Sequence, residues 1–247
     1  MTPLLDVFLS PMDLNNKLCV VTGATEGIGR AIAAALGRSG ARVAICARTA
    51  SAVDATVAEL RASGCDAIGQ ACDVADEDGV AAFAAFVGRE RGDVAVVVNN
   101  AGIGKFAPLR ELSLADWDRT MAVNVRSLFL VTRAFLPALE RTQGAVVNIS
   151  SLAGRNGLDG GTAYSASKHA VLGFSKSLML ETRKQGMRVI AVCPGSVATR
   201  FMDKQSRTRP NRDSVLRAED VAQAVVAALA LPDRAMVSEL DIRPTNP

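Results

Sequence analysis

The 247-residue sequence predicts an α/β fold: one doubly wound, mostly parallel sheet of about seven strands, with helices on both faces. Three observations lead there. Short apolar runs alternate along the chain with longer amphipathic stretches. Some of the short runs, such as Val94 to Val98, are apolar at every position, the pattern of a strand buried on both faces of a parallel sheet. A glycine-rich segment sits at the first strand-to-helix junction, where a right-handed βα repeat places its turn.

The elements follow in order. Lys17 to Thr22 is a β-type run, and Gly27 to Ser39, with Ala and Ile at helical spacing and Gly40 after it, is the first helix. Strand Arg42 to Ala47 precedes a helix near Ser51 to Ser63. Strand Ala67 to Cys72 precedes a helix near Glu77 to Arg91, and strand Val94 to Asn99 comes next. A long helical region from about Asp116 to Arg141, strand Ala145 to Ser150, a helix near Ala163 to Gln185 and strand Arg188 to Cys193 complete the repeat. A polar, Arg-rich stretch then leads to a helix near Ala218 to Ala230 and a last apolar run, Val237 to Ile242.

Bulk properties narrow the function. The length suits one domain, expected over residues 17–247, with residues 1–16 as a short N-terminal extension. That extension carries Asp6 and Asp13, no basic residue and no small-residue cleavage pattern, so no signal or transit peptide is expected. No uninterrupted apolar run reaches the roughly 20 residues that span a bilayer. A net charge of +3 with scattered basic residues points to a small ligand rather than nucleic acid. The five cysteines (Cys19, Cys46, Cys65, Cys72, Cys193) form no C-x-x-C pair and read as buried thiols in a reducing, cytoplasmic setting. One histidine, His169, leaves little for a His/Cys metal site.

Gly23, Gly27 and Gly29, in Thr22-Gly23-Ala24-Thr25-Glu26-Gly27-Ile28-Gly29, lie between the first strand and the first helix. Glycines there let the backbone turn tightly and approach a pyrophosphate held at the helix N-terminus. At the end of the second strand an acid would bind an adenosine ribose, whereas an arginine would pair with a 2′-phosphate. This chain has Ala47 and then Arg48, which favours NADP(H) over NAD(H). Tyr164 is the only tyrosine, and Lys168 stands at i+4, on the same helix face. A free phenol has a pKa near ~10, and a neighbouring cation is expected to lower it toward working pH.

With Thr22 to Gly29 reading T-G-x-x-x-G-x-G, Asn99 to Gly102 reading N-N-A-G, Tyr164 to Lys168 reading Y-x-x-x-K and Pro194 to Thr199 reading P-G-x-x-x-T, the chain resembles the short-chain dehydrogenase/reductase family from about Lys17 to Thr199. The resemblance implies a Rossmann fold and a metal-free hydride transfer between a nicotinamide and a ketone or alcohol carbon. Tyr164 would be the general acid/base, Lys168 its electrostatic partner and a ribose ligand, Ser151 the substrate-orienting serine, and Asn124 the holder of a water linked to the lysine. Ser151 stands thirteen residues before Tyr164, and Ser150 is its neighbouring candidate. The implied cofactor contacts are Gly23, Thr25, Glu26, Gly27, Ile28, Gly29, Arg48, Asp73, Val74, Asn100, Ala101, Gly102, Tyr164, Lys168, Pro194, Gly195, Val197 and Thr199. Glu26 departs from the family, since many NADP-using relatives carry Lys or Arg there.

The substrate segment is expected at about 200–217. Leu152, Leu158 and Phe201 suggest apolar walls, with Arg155 to Leu158 on the far side, and the brevity of the segment suggests a small or linear carbonyl compound. Five basic residues against Asp203 between Arg200 and Arg212 suggest either a solvated loop or a site for an anionic substrate or carrier. The ending Ser238 to Pro244 lacks the D-G-G turn of many 3-oxoacyl-(acyl-carrier-protein) reductases. It is similar to the ending of broad-specificity NADP-linked carbonyl reductases. A non-enzymatic dinucleotide sensor would be expected to lose Tyr164, Lys168 or Ser151, and all three are present. Homo-oligomers, commonly tetramers, are usual in the family, and the helices near Asp116 to Arg141 and Ala163 to Gln185 would supply an interface.

Overall fold

The structure, a computed structural model, describes residues 13–203, 214–232 and 234–245. Most of the expected N-terminal extension and the basic stretch 204–213 lie outside the described residues. The end of that extension packs on the fold: Leu14 is buried in the core, and the Asn16 N–H bonds the Gly40 carbonyl at 2.8 Å.

Seven parallel strands run in the order β3-β2-β1-β4-β5-β6-β7. They are β1 (Leu18–Thr22), β2 (Arg42–Ala47), β3 (Ala67–Ala71), β4 (Val94–Asn99), β5 (Ala145–Ile149), β6 (Arg188–Pro194) and β7 (Glu239–Ile242). The helices are α1 (Gly27–Arg38), α2 (Ala50–Ala62), α3 (Glu77–Arg91), α4 (Leu114–Met121), α5 (Ser127–Thr142), α6 (Thr162–Thr182), the short α7 (Arg200–Asp203) and α8 (Ala218–Leu229). Because β1 lies between β2 and β4, the chain reverses direction across the sheet there. The crevice beyond the carboxyl ends of β1 and β4 is where such sheets bind ligands.

Strand alternation sends side chains to two apolar layers. Val21, Ile45, Val98 and Ile190 pack under α1, α2 and α8, whereas Val20, Val97, Val146 and Val189 pack against Phe83 of α3, Phe135 of α5 and Leu178 of α6. Each such side chain fully buried contributes roughly 1.5–3 kcal/mol. This double burial is why the central strands are mostly apolar.

Helical structure from Leu114 to Thr142 spans 29 residues and is apolar enough by composition to cross a bilayer, but half of its most apolar window is buried in the fold. It is not one regular helix, as the periodicity suggests. Ala122–Arg126 forms a π-helical turn between α4 and α5, a local widening that recurs at functional sites. Sequence periodicity also leaves out the 3-10 turns Leu109–Glu111 and Leu152–Gly154, and α7.

Candidate active site

The first turn is built by mutual hydrogen bonding between two strand ends. The Thr22 hydroxyl, which reaches the Val98 carbonyl at 3.4 Å, accepts the N–H groups of Asn100 and Ala101, each at 3.1 Å. The Asn100 amide returns bonds to the carbonyls of Thr22 (2.9 Å) and Gly23 (3.1 Å). Gly23 (φ 62°) and Gly27 (φ 54°) occupy the left-handed region, where a side chain would strain the backbone. Gly29, one of the cofactor contacts expected from the sequence, is not among the residues that line the cleft. A Cβ there would stand 2.3 Å from the Asn100 amide nitrogen and 2.5 Å from the Gly23 carbonyl oxygen, so glycine is required for close packing. Helix α1 has no acid in its first turn, and Glu26 makes no capping bond, so the positive helix end faces the cleft uncompensated. Glu26 instead lies 3.6 Å from Arg200, which gives its charge a partner at the cleft rim.

At the far end, Arg48 and Thr49 follow β2, and Asp73 and Val74 follow β3. Partial burial pushes the Asp73 carboxyl up, but a hydrogen bond from Arg119, the Ala75 N–H and the charges of Arg119 and Arg48 outweigh it. The net effect holds Asp73 below the usual carboxylate range. The neighbouring acid Asp76, not Asp73, caps α3, accepting the Gly79 N–H at 2.9 Å.

Beneath the cleft, buried amides form a ladder. Asn99 donates to Thr132 (3.0 Å) and Asn148 (2.9 Å), and Asn148 donates to the Ser175 hydroxyl (2.9 Å). Satisfied in this way, they cost little and tie β4 and β5 to α5 and α6. Asn124, presented by the π turn, joins the N-N-A-G turn to α6. Its Oδ1 accepts the Ile103 N–H at 2.8 Å, and its Nδ2 donates to the Ile103 carbonyl (2.8 Å) and to Ser167 (2.9 Å). Both amide N–H groups are committed to protein, so Asn124 holds the site together, and only Oδ1 retains capacity for the water that the sequence assigns to it.

The two serines, both just past the end of β5, take different partners. Ser150 is buried and donates to the Lys168 carbonyl at 2.9 Å, while Ser151 faces the cleft, accepts the Ala153 N–H at 3.1 Å and interacts with the Tyr164 phenol. Tyr164 is 6% exposed and Lys168 5%, both inside the same cleft. The Lys168 Nζ donates to the Ile149 carbonyl at 2.8 Å and stands 5.7 Å from the centroid of the Tyr164 ring.

The expected lowering of the tyrosine is not what the protein groups alone produce. Burial pushes the phenol up to about 12, with the Ser151 hydroxyl opposing, and brings Lys168 down to about 8, with Cys193 opposing. Desolvation disfavours the charged form of each.

Apolar walls surround the phenol. The ring centroids of Phe106 and Phe201 each lie 5.5 Å from that of Tyr164, and Leu152 and Leu158 line the cleft as their hydrophobicity suggests. Arg155 takes no part: it pairs with Glu239 and Asp241 at 2.6 Å each, fastening β7. Thr199 lines the cleft, its methyl group beside Gly27 and its hydroxyl 3.4 Å from the Val197 carbonyl.

These groups share one cleft of ≈ 610 Å³, which holds every proposed cofactor contact except Gly29, and all proposed catalytic residues except Asn124. Sequence reasoning missed Thr49, Cys72, Ile103, Phe106 and Arg119. Thr49, Cys72 and Ile103, directly beside Arg48, Asp73 and Gly102, carried a signal that could have found them; Phe106 and Arg119 carried none. An extended ligand with an anionic centre at the glycine turn and a reactive end beside Tyr164 fits the shape and polarity of this cleft.

Comparison with known proteins agrees with this geometry. A family model described as short chain dehydrogenase matches residues 17–210. A protein named as a ketoacyl reductase in Streptomyces coelicolor is 43% identical over 188 residues, covering 75% of this chain and 72% of its own length. An alcohol dehydrogenase from the archaeon Thermococcus sibiricus, complexed with 5-hydroxy-NADP, superposes with a TM-score of 0.87 at 32% identity, covering 94% of this chain and 97% of that one. A phenylalanine-to-tryptophan variant of actinorhodin polyketide ketoreductase with NADPH gives 0.86 at 35% identity, covering 93% and 96%.

Proposed function

The chain belongs to the short-chain dehydrogenase family, and we propose that it is an NADP(H)-dependent oxidoreductase that interconverts a ketone and an alcohol on a small substrate. The observation that carries this reading is the gathering of Ser151, Tyr164 and Lys168 around one end of a cleft whose other end holds the glycine turn and Arg48. The NADP(H) choice is supported by Arg48, with no acid at the end of β2, and by relatives whose structures hold NADP-type cofactors.

Bound there, NADPH supplies the hydride. The N–H groups at the start of α1 and the glycine turn would hold its pyrophosphate, Arg48 its 2′-phosphate, Asp73 and Val74 its adenine, and the Asn100 to Gly102 and Pro194 to Thr199 segments its nicotinamide half. Ser151 orients the substrate oxygen, and Tyr164 gives that oxygen its proton. Below about pH 8 Lys168 is charged, and its ammonium stabilises the phenolate left behind. Asn124 keeps the Ile103 backbone and α6 in register. Leu152, Leu158 and Phe201 hold water away from the reacting carbon.

A second reading, reduction of 3-oxoacyl thioesters, is supported by the ketoacyl reductase and polyketide ketoreductase among the relatives. We further assign one catalytic domain over residues 17–247, a cytoplasmic setting suited to five buried free thiols, and self-association through α5 and α6, where Phe129 and Leu180 are exposed. The test is an NADPH-oxidation screen over ketones, aldehydes and 3-oxoacyl thioesters. Turnover of one class with NADPH is expected. Failure to bind NADPH, or to oxidise it with any carbonyl, would sink the reading.

A further inference from the structure

We propose that Arg119 of α4 is a specificity-determining residue for the cofactor: by holding Asp73, it keeps that carboxylate from competing with a 2′-phosphate for Arg48. The inference rests on the NADP(H) reading above and gives one residue outside the glycine turn a part in it.

The geometry begins with the sheet. β2 and β3 are parallel neighbours, Ala47 is paired with Ala71, and the Cys72 N–H bonds the Ala47 carbonyl at 2.8 Å. The two strands therefore end side by side, so that Arg48 follows one and Asp73 the other, and both line the cleft. Arg48 is exposed there and makes no hydrogen bond or ion pair among the described residues. Asp73 is the acid that follows the neighbouring strand, and its charge lies within electrostatic reach of Arg48.

What keeps the two apart is a second cation. The Arg119 guanidinium reaches from α4 to Asp73 Oδ2 at 2.9 Å, while Asp73 Oδ1 accepts the Ala75 N–H at 3.0 Å. Both carboxylate oxygens are thus engaged, and the charge is compensated by a cation other than Arg48. Without Arg119, Oδ2 loses its partner and Arg48, whose charge Asp73 already feels, is free to take its place. The uncompensated carboxylate would also repel a phosphate dianion placed beside Arg48. Both effects weaken binding of a cofactor with a 2′-phosphate, whereas the contact of Asp73 with the adenine is common to both cofactors and cancels in their ratio. The Arg119 side chain is 41% exposed, so its pairing adds little to stability, and selectivity is the larger consequence.

The experiment measures kcat/KM with NADPH and with NADH on one carbonyl substrate and compares their ratio across variants. Arg119→Gln should lower the NADPH:NADH ratio about tenfold, the size expected for one unit charge acting on a phosphate dianion through largely aqueous surroundings. The change should appear in KM for NADPH, with kcat nearly constant. Arg119→Lys should keep most of the preference. Asp73→Asn, alone or combined with Arg119→Gln, should leave the ratio at least at the wild-type value, because no carboxylate remains to compete.

An Arg119→Gln ratio within twofold of wild type, or an equal loss with both cofactors, would overturn the proposal while leaving the NADP(H) reading intact. A fall in the ratio for Asp73→Asn alone would overturn it even if Arg119→Gln fails to fold. A wild-type enzyme that uses NADH as well as NADPH would remove the reading itself, and the proposal with it.

Discussion

Lys168 is anchored to the Ile149 carbonyl at 2.8 Å and stands 5.7 Å from the centre of the Tyr164 ring, so it acts on the phenol through space from a fixed position. Ile149 is the last residue of β5, and Ser151 lies two residues beyond it. One strand end therefore sets both the lysine and the serine relative to the tyrosine.

Removal of the proposed proton donor follows most directly. Tyr164→Phe keeps the ring that packs against Phe106 and Phe201 and deletes only the hydroxyl. Turnover should fall by at least 10²-fold, within the range general acid catalysis supplies, while NADPH affinity by fluorescence titration stays within a few-fold. Substantial residual turnover would count against Tyr164 as the donor.

The lysine carries a stability cost with a defined pH window. Its folded pKa of about 8 lies below the ordinary 10.5, so below pH 8 the folded state buries a charge that the unfolded state solvates freely. Stability should therefore rise between about pH 8 and 10.5, by at most roughly 3 kcal/mol. The phenol opposes this at the upper end: with its folded pKa raised to about 12, its contribution is present below pH 10 and is lost as the pH climbs from 10 to 12. Lys168→Met should unfold at higher urea than wild type at pH 7, with the gap closing by pH 10. A gap independent of pH would contradict this account.

Asn124→Ala deletes the partners of the Ile103 N–H and carbonyl and of Ser167. A loss of about 2–4 kcal/mol is expected from leaving such groups unpaired. Turnover should fall as well, since Ile103 borders the cleft and Ser167 stands between Tyr164 and Lys168. Calorimetry together with steady-state kinetics separates the two effects. Unchanged stability would show that water replaces the amide.

Gly29→Ala tests whether that glycine packs or binds. Its Cβ would meet the Asn100 amide and the Gly23 carbonyl at distances no relaxed structure keeps. Overpacking of about 1–3 kcal/mol should lower Tm and weaken NADPH binding together. Weaker binding with an unchanged Tm would point to direct cofactor contact instead.

Much of this molecule is legible in the sequence because its signals are local. Strand apolarity, glycine at a strand-to-helix junction and the i, i+4 spacing of Tyr164 and Lys168 are each imposed by neighbours a few residues away, so element order, the glycine turn and the Tyr164–Lys168 pair emerge without a structure. Signals that depend on distant partners do not emerge. Phe106 looks like any loop aromatic until its ring meets Tyr164, and Arg119 like any polar helix residue until it reaches Asp73, 46 positions earlier.

The sequence by itself determined the element order, the glycine turn and the residues proposed to act beside it, since backbone periodicity and side-chain chemistry need only local information. Tertiary structure alone decided how those residues are poised. The π turn gives the Asn124 amide to protein partners, burial drives Tyr164 and Lys168 toward their neutral forms, and Arg119 claims Asp73. Each outcome depends on desolvation and on which groups the fold brings within hydrogen-bond reach, quantities that exist only once the chain has closed on itself.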